Sequence, residues 1–175
     1  MLAFTHAGQP AEGRPMSEAL HSTGPRRPTW THMALAVSNV DATVDWYESF
    51  THLRVLARHE DKDGRNAWLA DPDEKARPFV LVVGEFFPGH DPFAPAPHHP
   101  LGPFAHFGIE LPSREAIDEV AARGKAAGCL ALGPVQMAKD IGYICFLKDP
   151  DGNTIEFSYD QGVFETARDI WQVAV

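Results

Sequence analysis

Three residues of this chain carry side chains suited to holding a metal: His32 in Thr-His-Met-Ala-Leu-Ala-Val, His106 in Phe-Ala-His-Phe-Gly-Ile-Glu-Leu, and Glu156 in Asp-Pro-Asp-Gly-Asn-Thr-Ile-Glu-Phe. Two imidazoles and one carboxylate make a facial ligand set for a divalent ion and leave positions open for water, substrate or oxygen. Each of the three lies in a run that reads as a β-strand, where residues two apart share a face. Trp30, His32, Ala34 and Ala36 then oppose Met33, Leu35 and Val37. His106, Gly108 and Glu110 oppose Phe107, Ile109 and Leu111, and Thr154, Glu156 and Ser158 oppose Ile155, Phe157 and Tyr159. Each strand thus offers an apolar face for packing under helices and a face of small or polar residues that suits a cavity. A lone strand histidine is more often a surface or hydrogen-bonded residue than a ligand, and His52, His59, His90, His98 and His99 are read that way. The spacing is far too wide for a local signature of the His-Glu-x-x-His kind, so convergence depends on the fold.

The elements that must position these residues occur twice. In the first half, strand Thr29–Val37 leads to a helix over Val40–Phe50, with Val40, Val44 and Tyr47 as its apolar stripe. Strands follow near Leu53–Glu60, Arg65–Ala70 and Pro78–Phe86, with Asp63-Gly64 as a turn signal. In the second half, strand Phe104–Leu111 leads to a helix over Arg114–Ala127. Ser113 is its N-cap, Ile117, Val120, Ala121 and Gly124 form its inward stripe, and Gly128 ends it. Strands near Cys129–Met137, Gly142–Lys148 and Asn153–Tyr159 follow, the last two joined by a tight Asp149-Pro150-Asp151-Gly152 turn. The Pro- and His-rich stretch Phe87–Pro103 cannot join a sheet and reads as the joint between the halves. Residues 162–175 read as a short C-terminal helix with Val163, Ala167, Ile170 and Trp171 on its apolar side.

The chain has 175 residues, enough for one domain with a proper core, and its 44% hydrophobic and 22% charged content is that of a globular protein. A formal charge of −9 argues against nucleic acid or an anionic membrane surface as partner. No apolar run approaches the ~20 residues of a transmembrane helix. Residues 1–28 read as a flexible extension without the features of a signal peptide, and Met16 is an alternative start. Cys129 and Cys145 read as buried free thiols in a reducing compartment, which makes the cytoplasm the expected location.

Thr-His-Met-Ala-Leu-Ala-Val followed by Val-Asp-Ala-Thr-Val-Asp-Trp-Tyr, together with Phe-Leu-Lys-Asp-Pro-Asp-Gly-Asn-Thr-Ile-Glu-Phe, resembles the vicinal oxygen chelate superfamily. That superfamily includes glyoxalase I, bleomycin-resistance proteins, extradiol dioxygenases and fosfomycin-resistance transferases. The resemblance covers Trp30 to Gln161 and implies an α+β fold, residues 29–161, of two βαβββ modules (about 29–86 and 104–161, with the joint at 87–103) whose mixed sheets curl into a cup. It implies one divalent metal held by His32, His106 and Glu156. It also implies a homodimer, in which His32 can meet His106 of the partner subunit.

The departures from the family bear on the chemistry. Glyoxalase I has a fourth ligand, a Glu on the last strand of the first module; here Val82 stands there and Glu85 points the other way. The carboxylate that would shuttle the substrate proton is missing. Extradiol dioxygenases carry a Tyr where Phe146 stands, with Tyr143 shifted to the opposite face, and an assisting His where Met137 lies. Fosfomycin-type transferases use a Thr at the Ala34 position and a Tyr at the Phe146 position, so both polar contacts to a phosphonate are lost.

The expected function is that of a metal-dependent enzyme acting on a small molecule with vicinal oxygens. Dioxygenation is placed ahead of glyoxalase-like lyase or isomerase chemistry, and Fe(II) ahead of Mn(II), Zn(II), Ni(II) or Co(II). Tyr143, Glu110 and Gln136 are candidate catalytic or supporting residues, and Trp30, Phe104 and Phe146 candidate pocket walls. The alternative is a non-catalytic drug-binding protein of the bleomycin-resistance type. A third option is a partner-binding module that uses the C-terminal helix.

Overall fold

Residues 28–75, 78–102 and 104–172 are described in the computed structural model. Apart from Pro28, the expected N-terminal extension and the alternative start at Met16 lie outside them, as do the last residues of the C-terminal segment. All helices and strands among the described residues belong to the compact unit Thr31–Val175.

The first module runs β1 (His32–Ala36), α1 (Val40–Phe50), β2 (Arg54–Glu60), β3 (Gly64–Ala70) and β4 (Val80–Phe86). The second runs β5 (His106–Glu110), α2 (Arg114–Ala126), β6 (Leu130–Gln136), β7 (Tyr143–Lys148) and β8 (Thr154–Tyr159), followed by α3 (Val163–Trp171). Each module builds one four-stranded mixed sheet, with orders β1-β4-β3-β2 and β5-β8-β7-β6. In both, the first strand runs parallel to the last and the remaining pairs are antiparallel. This is the α+β fold of two βαβββ modules expected from the sequence. The sheets are open and four-stranded, however, and do not curl into one closed cup within the chain.

Local chemistry sets the helix ends. Asn39 caps α1 by accepting from the Ala42 N–H, and Ser113 caps α2 by accepting from the Ala116 N–H. Gly128, at φ +74°, takes the left-handed position that lets the chain leave α2. The predicted stripes are the buried ones: Val40, Val44 and Tyr47 on α1, and Ile117, Val120, Ala121 and Gly124 on α2.

One core receives both helices and the apolar faces of both sheets, with Leu69, Val83, Leu147, Ile155 and Phe157 fully buried. The modules are joined there by polar bonds as well. Asp149, in the turn before β8, is buried and accepts from the Tyr47 hydroxyl (3.2 Å), the Asn153 N–H (2.8 Å) and the Asn153 side-chain amide (2.8 Å). Asp151 accepts from the Ser38 N–H just before α1 (2.8 Å), and Arg123 donates to the Ser49 carbonyl (2.7 Å). Among the described residues no helix packs on the other, bare face of either sheet, which bears His32 in the first module and His106 and Glu156 in the second, although Ile144, Glu156 and Ser158 on the second are buried. No helix among the described residues is long and apolar enough to cross a membrane. Cys145 is buried as expected, whereas Cys129 is only half-buried, and both are free thiols.

Candidate metal centre

The parallel pairing of β5 with β8 sets Gly108 opposite Glu156 and His106 opposite Thr154, so His106 and Glu156 are diagonal neighbours on one face. Their side chains meet: His106 Nε2 lies 3.4 Å from Glu156 Oε2. His106 Nδ1 is 2.7 Å from the Phe104 carbonyl, which can only accept, so Nδ1 carries the proton. In the neutral ring the Nε2 lone pair then faces a carboxylate oxygen. Two acceptors in that arrangement repel unless a proton or a metal ion stands between them, and a second nitrogen fixed by a carbonyl is a usual feature of metal-binding histidines. The imidazole is held edge-on by Phe146 (centroids 5.5 Å) and Phe104 (5.9 Å).

The surroundings fit a bound cation. Glu156 is almost fully buried, with 6% of its side chain exposed against 30% for His106. Its Oε1 accepts from the Gln161 side-chain amide at 3.0 Å, so Oε2 is the oxygen turned toward His106. A Cβ built at Gly108 would meet nothing within 4 Å, which keeps the space beside the pair open. Two residues beyond Glu156, the fully buried Ser158 Oγ has no hydrogen-bond partner.

His32 opens β1, its Nδ1 2.9 Å from the Thr31 hydroxyl, and is exposed on the bare face of the first sheet. Among the described residues no group of three or more His, Cys, Asp or Glu side chains is arranged to hold a metal. The chain therefore brings His106 and Glu156 together and leaves His32 apart from them. Val82, at the position of the missing carboxylate, pairs with Ala34 and Trp68 on the bare face. Glu85 is turned toward the helix, where it accepts from the Val40 N–H (2.9 Å) and from Arg65 (2.9 Å) and so caps α1.

Other expectations need correction. Tyr143 and Gln136 pair with each other on the helix-covered face, opposite Phe146 and Glu156. The Tyr143 hydroxyl donates to Asp118 (2.7 Å), which pushes its pKa up, and the Arg114 guanidinium stacks 3.8 Å above its ring. Gln136 accepts from the same Arg114 and donates to the Gly142 carbonyl. Neither faces the His106–Glu156 pair. Trp30 precedes β1 rather than lying in it and is 86% exposed. Phe104 and Phe146 do flank His106, and Glu110 shares its face.

Two residues of these faces were not singled out from the sequence. Trp68 is the large aromatic beside Val82, 40% exposed. Gln161 is the other: strand alternation places it opposite Glu156, but Asp160 takes a left-handed conformation (φ +58°) that turns Gln161 back to the carboxylate.

Comparison with known proteins agrees with this fold. Residues 29–157 match the model of the Glyoxalase/Bleomycin resistance protein/Dioxygenase superfamily. The uncharacterized protein PA2024 of Pseudomonas aeruginosa is 41% identical over 134 residues, covering 77% of this chain and 90% of that protein. The trypanothione-dependent glyoxalase I of Leishmania major superposes with a TM-score of 0.59 at 17% identity, over 83% of this chain and 96% of that one. A mutant of the fosfomycin resistance protein FosX from Listeria monocytogenes, complexed with Mn(II) and 1S,2S-dihydroxypropylphosphonic acid, superposes with a TM-score of 0.58 at 16% identity, over 79% and 95% of the two chains. At those identities the structural matches speak to the fold alone. With a family model spanning most of its length and both repeats of the fold in place, this chain belongs to the glyoxalase/bleomycin resistance protein/dioxygenase superfamily, also called the vicinal oxygen chelate superfamily.

Proposed function

We propose that this protein is a metal-dependent enzyme acting on a small molecule with two adjacent oxygens, and that it works as a homodimer. The observation that carries the reading is the contact of His106 Nε2 with Glu156 Oε2 at 3.4 Å, with Nδ1 of the same ring fixed by the Phe104 carbonyl. The third ligand is His32 of the partner subunit. The core binds the two modules of one chain by their helix-covered faces, and the opposite faces, which bear His32 and the His106–Glu156 pair, are assigned to the contact with a second copy. The bound divalent ion, Fe(II) first and Mn(II), Zn(II), Ni(II) or Co(II) after it, would chelate the substrate oxygens and stabilise charge developing on them.

The residues around the pair shape the reaction. Phe146 and Phe104 hold the His106 ring and make one side of the site apolar, which favours an aromatic or otherwise apolar substrate body. Val82 provides no carboxylate to move a proton, and Glu110 is held by the Gln161 N–H at 3.2 Å. Oxygen-dependent chemistry therefore ranks ahead of a glyoxalase-type proton shuttle. The test is elemental analysis of protein purified without chelators or added metal, followed by oxygen uptake with Fe(II) over a panel of catechols. Metal near one ion per chain with catechol-dependent oxygen consumption is expected. Bound metal without uptake would move the reaction to the lyase and isomerase branch, and no metal uptake at all would contradict the enzyme reading.

A second reading has its own observation. Trp68 and Leu132, on the bare faces of the two sheets, are 40% and 49% exposed. Such surfaces also suit a protein that sequesters a flat, apolar molecule without turning it over. Retention of a drug-like aromatic ligand by metal-free protein would favour it.

A further inference from the structure

We infer that Gln161 is a positioning residue that occupies one oxygen of Glu156 and so presents the carboxylate to the metal through Oε2 alone. The inference rests on the metal-site reading proposed above. A free carboxylate can grip a metal with both oxygens, and a donor fixed on one of them takes up one of its lone pairs and weights the carboxylate toward binding through the other. Gln161 Nε2 donates to Oε1 at 3.0 Å, while Oε2 is the atom that faces His106.

Gln161 is itself held in place from two sides. Its backbone N–H donates to Glu110 Oε1 at 3.2 Å, so an acidic residue on β5, the strand of His106, anchors the donor that serves β8. The left-handed turn at Asp160 aims the side chain at Glu156 instead of at the covered face. A non-glycine residue in that conformation carries a modest backbone cost, which the two hydrogen bonds of Gln161 offset. The result is a carboxylate that takes one coordination position and leaves one more for water or substrate.

The test compares wild-type protein with Gln161→Met, which keeps the length of the side chain and removes its donor, and Gln161→His, which restores an uncharged N–H donor. Each is titrated with Co(II) alone, following visible absorption, and apo-protein stability is followed by urea unfolding. Gln161→Met should bind Co(II) about 10-fold or more weakly and with a weaker visible band, as the carboxylate closes on the metal with both oxygens and raises the coordination number. Gln161→His should recover part of the affinity, while the apo-protein urea midpoint of Gln161→Met should fall modestly, because the buried Glu156 oxygen loses its donor. Co(II) binding and spectrum identical in wild type and Gln161→Met would overturn the inference and leave the metal site standing. A wild-type protein that takes up no Co(II) would overturn both.

Discussion

Val82 and Glu156 occupy the same place in their respective modules. Val82 pairs with Ala34 on β1 and Trp68 on β3, as Glu156 pairs with Gly108 on β5 and Phe146 on β7. The repeat thus contains a seat for a second carboxylate and fills it with an aliphatic side chain. Val82→Glu should supply a fourth protein ligand in the assembled dimer. Co(II) titration should then show binding tightened by about 10-fold or more and a weaker visible band from a higher coordination number. Unchanged affinity and spectrum would mean that the His32 face takes no part in the site.

The Asp-Pro-Asp-Gly-Asn turn does structural work across the modules. Asp149 is 4% exposed and accepts from Tyr47, Asp151 and twice from Asn153. Asp149→Ala would leave those donors buried without a partner and should cost about 2–4 kcal/mol in urea unfolding. Tyr47→Phe removes one of the bonds and should cost about 1–2 kcal/mol. A loss below the smaller figure for Asp149→Ala would show that the turn is not a joint between the modules.

Gly142 carries the loop between β6 and β7 close to the end of β8. It has φ +86°, and a Cβ there would fall 2.3 Å from the Tyr159 carbonyl oxygen and 2.9 Å from that of Asp160. Gly142→Ala should therefore destabilise the fold by more than ~1 kcal/mol. Because Asp160 aims Gln161, the same substitution should also weaken Co(II) binding. Stability equal to wild type would show that this approach is not as close as described.

Alkaline pH should erode stability through two buried groups. Burial first, then the charges of Asp118 and Glu156, push the Cys145 thiol up to about 12. Burial and the neighbouring Asp149 push the Tyr47 hydroxyl up as well. Above the ordinary thiol pKa of ~8.5 the unfolded chain has lost a proton that the folded chain still holds. The unfolded state then binds fewer protons, so stability is fully present below that pH and falls as pH rises toward the folded value. Urea midpoints should drop between about pH 8 and about pH 11, and less in Cys145→Ala than in wild type. An equal drop in both would remove Cys145 from the account.

How much of this was legible in the sequence varies with how local its cause is. The bounds of α1 and the stripe and N-cap of α2 follow from side-chain periodicity and capping, and the structure reproduces them. The faces of β5 and β8 follow from strand alternation alone. Trp30 was assigned to β1 too early because pairing with β4 starts only at His32 and Val80, a matter of register between distant segments. Gln161 escaped because one left-handed residue reverses the alternation, and Asp160 carries no glycine to announce it. Tyr143 and Gln136 looked available by residue type, yet they spend their polar atoms on Asp118, Arg114 and Gly142. The place where His32 meets its fellow ligands lies outside any single chain's periodicity.

That last point is the central claim, and subunit mixing tests it most directly. His32→Ala and His106→Ala chains are purified apart, allowed to exchange subunits, and assayed for Co(II) binding beside each variant alone. If the site is shared between protomers, neither variant binds tightly alone, while each mixed dimer regains one site, built from His32 of one chain and His106 with Glu156 of the other. If the mixture binds no more Co(II) than its components, the site is not completed across two chains and the account is wrong.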